Sequence, residues 1–174
     1  MFKPLCFVCG TMYLLHDLKL YFNTLLRLFF ITRLELDYRT ALTRGKVTRI
    51  YPLDLHVSEP LPDTRNNYDV IIASLPFTAM AKNKQEFKDV LKKVAAMLKP
   101  LGHLLIIDVI KGTFYTIGNA IFTNPSLSRD DTMEAVREAG LKITVWKEMT
   151  KEGYNINDNG TDIDDYYFAC CRKM

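Results

Sequence analysis

Two periods of apolar residues organise the central part of the chain. Val70, Ile71, Ile72 and Ala73 are consecutive, as in a strand covered on both faces of a parallel sheet. Phe87, Val90, Leu91, Val94 and Leu98 then recur every three or four positions with Lys84, Lys88, Lys92 and Lys93 between them, which predicts an amphipathic helix. Pro100 and Gly102 stop that helix. Leu104, Leu105, Ile106 and Ile107 form a second buried run that carries Asp108 at its carboxyl end. Strand, helix, strand predicts one right-handed crossover of an open α/β sheet.

The flanking stretches have other patterns. Residues 1–33 space Leu14, Leu15, Leu18, Phe22, Leu25, Leu26 and Phe29 as one helical stripe, which predicts an amphipathic helix docked on the domain. His16, Asp17, Lys19 and Arg27 interrupt every window of about twenty residues and argue against a membrane span. Lys3 and the apolar run to Leu15 match a secretory leader only in part, with no cleavage site after them. Residues 38–44 read as the end of a helix stopped by Gly45, and residues 47–51 as an edge strand. Ser128, Asp130 and Asp131 open a last helix with Met133, Val136 and Ala139 inward and Gly140 at its end. Residues 141–149 and 166–171 predict an antiparallel pair at the sheet's edge.

Composition narrows the class. With 174 residues, 48% hydrophobic and 25% charged, the chain can bury one core. A net charge of +3 from scattered Lys and Arg excludes a dedicated nucleic-acid surface. Four cysteines make no disulfide framework at this length and fit a reduced, cytoplasmic setting. Cys6-x-x-Cys9 lacks further zinc ligands in reach, because Cys170 and Cys171 are adjacent. Asn155, Asn157, Asn159, Gly160 and Asp162 are spaced somewhat like a calcium loop, but Tyr166 stands where the closing glutamate belongs. The expectation is a hairpin loop and no metal.

Candidate chemistry lies at strand ends. Asp54 and Ser74 follow strands on the side where open α/β sheets take ligands, although Asp54 is equally a turn residue. Asp108, directly after four large aliphatic residues, is costly unless paired or facing a polar cleft; a cap is the plain alternative. Tyr115, in a loop flanked by Gly112 and Gly118, could cover a ligand or simply pack.

Residues 68–77, followed by MLKPLGHLLIIDVIKGTFYTIG and DTMEAVREAGLKI, closely resemble the small-amine N-methyltransferase family of nicotinamide, phenylethanolamine, indolethylamine and thioether methyltransferases. The joined pattern Ile107-Asp108, Lys111, Phe114-Tyr115 and Ile117-Gly118 is its specific part. The resemblance runs over residues 35–174, a partial methyltransferase domain, with residues 1–34 as a segment foreign to the family. It implies a Rossmann-like class I methyltransferase fold of the α/β class with an antiparallel C-terminal strand pair. It also implies S-adenosylmethionine as cofactor and methyl transfer to the nitrogen of a small amine or pyridine-type acceptor.

By that resemblance Asp54 and Leu55 meet the adenine, the carboxylate accepting from the exocyclic amine and the following backbone amide donating to a ring nitrogen. Ser74 and Leu75 close the cofactor pocket, Asp108 holds the acceptor's amine or amide, and Tyr115 lies over the acceptor. Asn124 stands where relatives place a small hydroxyl residue, and Tyr154 supplies a further pocket aromatic. The sulfonium methyl is already activated, so catalysis rests on positioning in a partly dry pocket, with Asp108 assisting removal of an amine proton. The departure is at the front. No Gly-x-Gly occurs, the family's first two strands are missing, and the segment 5–8 with Gly10 and Asp37 is a poor substitute. A sheet edge left bare this way is open to self-association, and the alternative function is a non-catalytic remnant that binds or docks.

Overall fold

The computed structural model describes residues 6–8 (backbone alone), 38, 41, 53–57, 68–153 and 160–174. The chain divides into two compact units, Met1–Gly10 with Leu53–Met174, and Thr11–Pro52. In the second unit Tyr38 and Ala41 have helical backbone, in line with the helix expected over 38–44. The expected edge strand at 47–51 and the stripe from Leu14 to Phe29 lie outside the described residues.

In chain order the first unit has β1 (Cys6–Val8), β2 (Tyr68–Ser74), α1 (Phe77–Met80), α2 (Lys84–Met97) and β3 (Leu98–Ile110). A hairpin of β4 (Phe114–Ile117) and β5 (Ala120–Thr123) follows, then α3 (Arg129–Glu138), β6 (Leu141–Glu148) and β7 (Asp165–Lys173). The main sheet has the order β1-β2-β3-β7-β6, parallel from β1 to β3 and antiparallel beyond. The predicted crossover and the C-terminal pair are both present.

The α2 helix forms where the pattern places it. Asn83 caps it by accepting from Glu86 N at 3.0 Å, and its buried stripe is Phe87, Val90, Leu91, Val94, Ala95 and Met97. It ends directly into β3. At Gly102 an added Cβ would lie 2.9 Å from the Lys99 carbonyl oxygen and 3.2 Å from those of Tyr68 and Asp69, so only glycine lets β2 and β3 approach there. The register then aligns Ile71 with Leu104 and Ala73 with Ile106, and Leu104, Ile106 and Asp108 with Cys171, Ala169 and Tyr167. These eight side chains share one face, and all are sealed from solvent. The alternating Ile72, Leu105, Ile107, Phe168 and Cys170 are half-buried. Helix α3 begins with a reciprocal capping box between Ser128 and Asp131. Its buried stripe is Thr132, Ala135 and Val136; Met133 and Ala139, expected inward, are half-buried.

Three sequence expectations are corrected. Cys6–Val8, within a segment set aside as a poor substitute for the family's first strands, is a strand pairing in parallel with Ile71–Ala73, so the β2 edge expected to be bare is covered over those residues. Strand β3 continues to Ile110, which places Asp108 inside the ladder rather than after it. The glycine-flanked loop around Tyr115 is a two-stranded hairpin. Extended backbone suits its β-branched and aromatic residues Phe114, Tyr115, Thr116, Ile117, Ile121 and Phe122.

Leu104→Ala should lower unfolding free energy in urea by about 2–5 kcal/mol, through lost apolar contact and the cavity left behind. Leu101→Ala, at a side chain 58% exposed, should change it by less than about 0.5 kcal/mol.

Candidate functional site

The carboxyl end of β2 builds the first part of the site. Ser74 closes the strand, and its hydroxyl oxygen is buried without a hydrogen-bond partner. Native folds seldom leave such a group alone, because a buried unmatched hydroxyl costs about 1–3 kcal/mol. Leu75 follows with φ +55°, in the left-handed region that leucine rarely enters, while its N–H donates to Ile107 O at 2.7 Å. That bond carries the parallel ladder one residue past the strand as the chain turns into Pro76 and α1.

Helix α1 closes over Asp108. Thr78 N donates to the Asp108 carboxylate at 3.2 Å, the Thr78 hydroxyl donates to its other oxygen, and Val109 N donates at 2.9 Å. Burial pushes the Asp108 carboxyl up to about 6, while these donors pull in the opposite direction. Across the ladder stands Tyr167, whose ring stacks on Trp146 with centroids 4.4 Å apart and whose hydroxyl has no bonded acceptor. Burial, and next the charge of Asp108, raise that hydroxyl's pKa well above its ordinary value. With no solvent exposure, the Asp108 carboxylate acts as a clamp on α1.

The 53–57 loop supplies the next residues. One Asp54 carboxylate oxygen accepts from His56 N at 2.8 Å, the turn geometry expected of an aspartate there. Leu55 is buried in the core, and Lys93 Nζ donates to the carbonyl oxygens of Leu55 and His56 at 2.9 and 3.1 Å. The loop is thereby tied to α2.

On the hairpin, Tyr115 stacks on Phe122 with ring centroids 5.1 Å apart. Partial burial raises its hydroxyl pKa. Asn124, just past β5, donates its N–H to Thr113 O at 2.8 Å and keeps a buried side-chain oxygen without a partner. Tyr154 lies outside the described residues. The structure thus gathers Ser74, Leu75 and Asp108 at the adjoining ends of β2 and β3, and Tyr115 with Asn124 on the hairpin. Sequence reasoning did not single out Thr78; its one signal was a lone hydroxyl in the apolar stretch Phe77–Met80. Among the described residues no group of His, Cys, Asp and Glu is arranged to hold a metal ion.

Comparison with known proteins gives a consistent picture. The model of the NNMT/PNMT/TEMT family matches residues 32–174. Human phenylethanolamine N-methyltransferase is 24% identical over 134 residues, which cover 75% of this chain and 47% of that protein. Human nicotinamide N-methyltransferase is 31% identical over 109 residues, 63% of this chain and 38% of that protein. The chain therefore spans less than half the length of these relatives. Among solved structures, an S-adenosylmethionine-dependent methyltransferase from Clostridium acetobutylicum superposes with a TM-score of 0.53 at 11% identity, covering 82% of this chain and 72% of that one. A SAM-dependent methyltransferase from Methanosarcina mazei gives 0.52 at 9% identity, covering 66% and 63%. These likenesses establish the Rossmann-like fold.

The Asp108 carboxyl is raised from 3.8 in the unfolded chain to about 6 in the fold. The folded state therefore binds the extra proton between those values. Its contribution to stability is complete below about pH 4 and is lost as pH rises through about 6, a change of up to about 3 kcal/mol. Urea titrations at a series of pH values should show this fall, and Asp108→Asn should flatten it.

Proposed function

The chain belongs to the NNMT/PNMT/TEMT family, and from that membership we propose that it binds S-adenosylmethionine and transfers its methyl group to the nitrogen of a small amine or pyridine-type acceptor. The observation that carries this reading is the buried, unpartnered Ser74 hydroxyl beside the left-handed Leu75 at the end of a parallel strand. Open α/β sheets take ligands on that side. An orphaned hydroxyl there is what a polar ligand would satisfy.

The residues present fit the nucleoside part of the cofactor. Asp54 has one carboxylate oxygen turned to His56 N, leaving the other for an exocyclic amine, and the Leu55 amide follows it in the same loop. When bound, the cofactor supplies an electrophilic methyl that needs no further activation. The chain's own residues orient and dry the acceptor: Tyr115 offers an aromatic face, and the Asn124 side-chain oxygen can accept from an acceptor N–H. Asp108 receives a protonated amine once Thr78 gives way, and the family resemblance assigns Tyr154 as a further pocket aromatic. A pyridine nitrogen needs no base.

The same reading divides the chain at residues 34 and 35, puts it in the reduced cytoplasm on its cysteine usage, and lets it self-associate through an exposed sheet edge. No helix among the described residues is long and apolar enough to cross a membrane.

Calorimetric titration with S-adenosylmethionine should give micromolar binding, weakened about tenfold or more in Asp54→Ala by loss of a charge-assisted hydrogen bond. Transfer of a labelled methyl to nicotinamide or to a phenylethanolamine should follow. Absence of heat at millimolar cofactor overturns the reading.

A further inference from the structure

The Tyr115 strand has two edges, and β5 covers only one of them. The other is met by residues 160–162. Asp162 accepts from Thr113 N at 2.7 Å and from Phe114 N at 3.1 Å with one carboxylate oxygen, and from the Thr113 hydroxyl with the other. The Thr161 hydroxyl donates to Phe114 O at 2.9 Å, and Thr116 N donates to Gly160 O at 2.9 Å. Tyr115 and Thr161 form an isolated antiparallel bridge between these bonds. The fit is close. At Gly112 an added Cβ would lie 2.5 Å from Ile163 Cγ2, and Lys111 pairs with Asp164 at 2.9 Å.

We propose that Asp162 is a positioning residue, which sets the pose of Tyr115 by bracing the β4 edge opposite β5. The inference rests on the methyltransferase reading, because it gives Tyr115 an acceptor to face. Three features support it. Asp162 is exposed, so its carboxylate adds nothing to the core, and the groups it binds are those just before Tyr115. Its donors, the Thr113 hydroxyl first, hold its carboxyl below the usual carboxylate range, which keeps it an acceptor at every contact near neutral pH. The Tyr115 ring is otherwise steadied by Phe122, itself 42% exposed, so the hairpin has little core of its own to hold its register.

The test compares Asp162→Ala, Asp162→Asn and Thr113→Val in methyl transfer, with amide hydrogen exchange at Thr113 and Phe114 as an independent readout. Asp162→Ala should raise the acceptor KM about tenfold, as loss of charge-assisted hydrogen bonds does, with the cofactor KM within about twofold and faster exchange at both amides. Asp162→Asn keeps an oxygen for the two amides and should recover most of both losses. Thr113→Val, which removes one hydroxyl only, should give a smaller rise of about two- to fivefold, and serves if Asp162→Ala does not fold. Transfer with an unchanged acceptor KM in Asp162→Ala, or in Thr113→Val where that variant stands in, overturns the inference and leaves the methyltransferase reading in place. Equal damage from Asp162→Asn and Asp162→Ala overturns it as well. A wild-type chain that transfers no methyl to any small amine or pyridine overturns both.

Discussion

A carboxylate cut off from water must find donors inside the protein, and at Asp108 that requirement decides where α1 begins. Leu104, Ile106 and Asp108 stand on the same sealed face of β3, so the acid points toward the helices and not away from them. Nothing on β2 or β7 fills its lone pairs; the neighbouring positions are Ala73, Ala169 and the aromatic Tyr167. Besides Val109 N beside it on β3, the donors come from the chain reversal after β2, where Leu75 enters the left-handed region and brings Thr78 over the sheet. Strand end, backbone turn and first helical residues are thus parts of one solution to a single buried charge.

How much of this could be read in the residues differs from element to element. The β2–α2–β3 crossover was legible because its apolar positions change from consecutive to helical spacing and back within one stretch. The α3 cap was legible because Ser128 and Asp131 carry their own short-range chemistry. The Tyr115 hairpin was not, because its flanking glycines suggest a loop, and the groups that meet its second edge, residues 160–162, lie far along the chain. Nor was the clamp on Asp108. Charge and position left a ligand group and a cap equally open, and the partner that decides for the clamp is a threonine thirty residues upstream that no local rule marks. Ser74 and Asn124 lie between these cases: residue type suggested polar contacts, and the fold leaves both with a buried oxygen still unmatched.

The two sheets divide the labour. The five-stranded sheet buries large aliphatic side chains under α2 and α3, whose outer surfaces are joined by Lys84–Asp131 at 2.7 Å and Lys88–Glu138 at 2.8 Å. Such solvent-facing pairs add little energy and mainly bias how two helices lie together. The small sheet has the reverse balance. Ile117 and Ile121 are largely exposed, and its order depends on hydrogen bonds along both strand edges. One sheet is held by burial, the other by polar fastening.

The left-handed Leu75 bears on how position 75 tolerates change. An ordinary residue in that backbone region carries strain on the order of 1 kcal/mol, which glycine would relieve. Glycine would also widen the unfolded ensemble by a comparable amount, so the exchange comes out close to neutral. Backbone energetics alone therefore give no reason to keep or discard the leucine. What favours a branched aliphatic at this corner must be sought in the packing of its half-buried side chain.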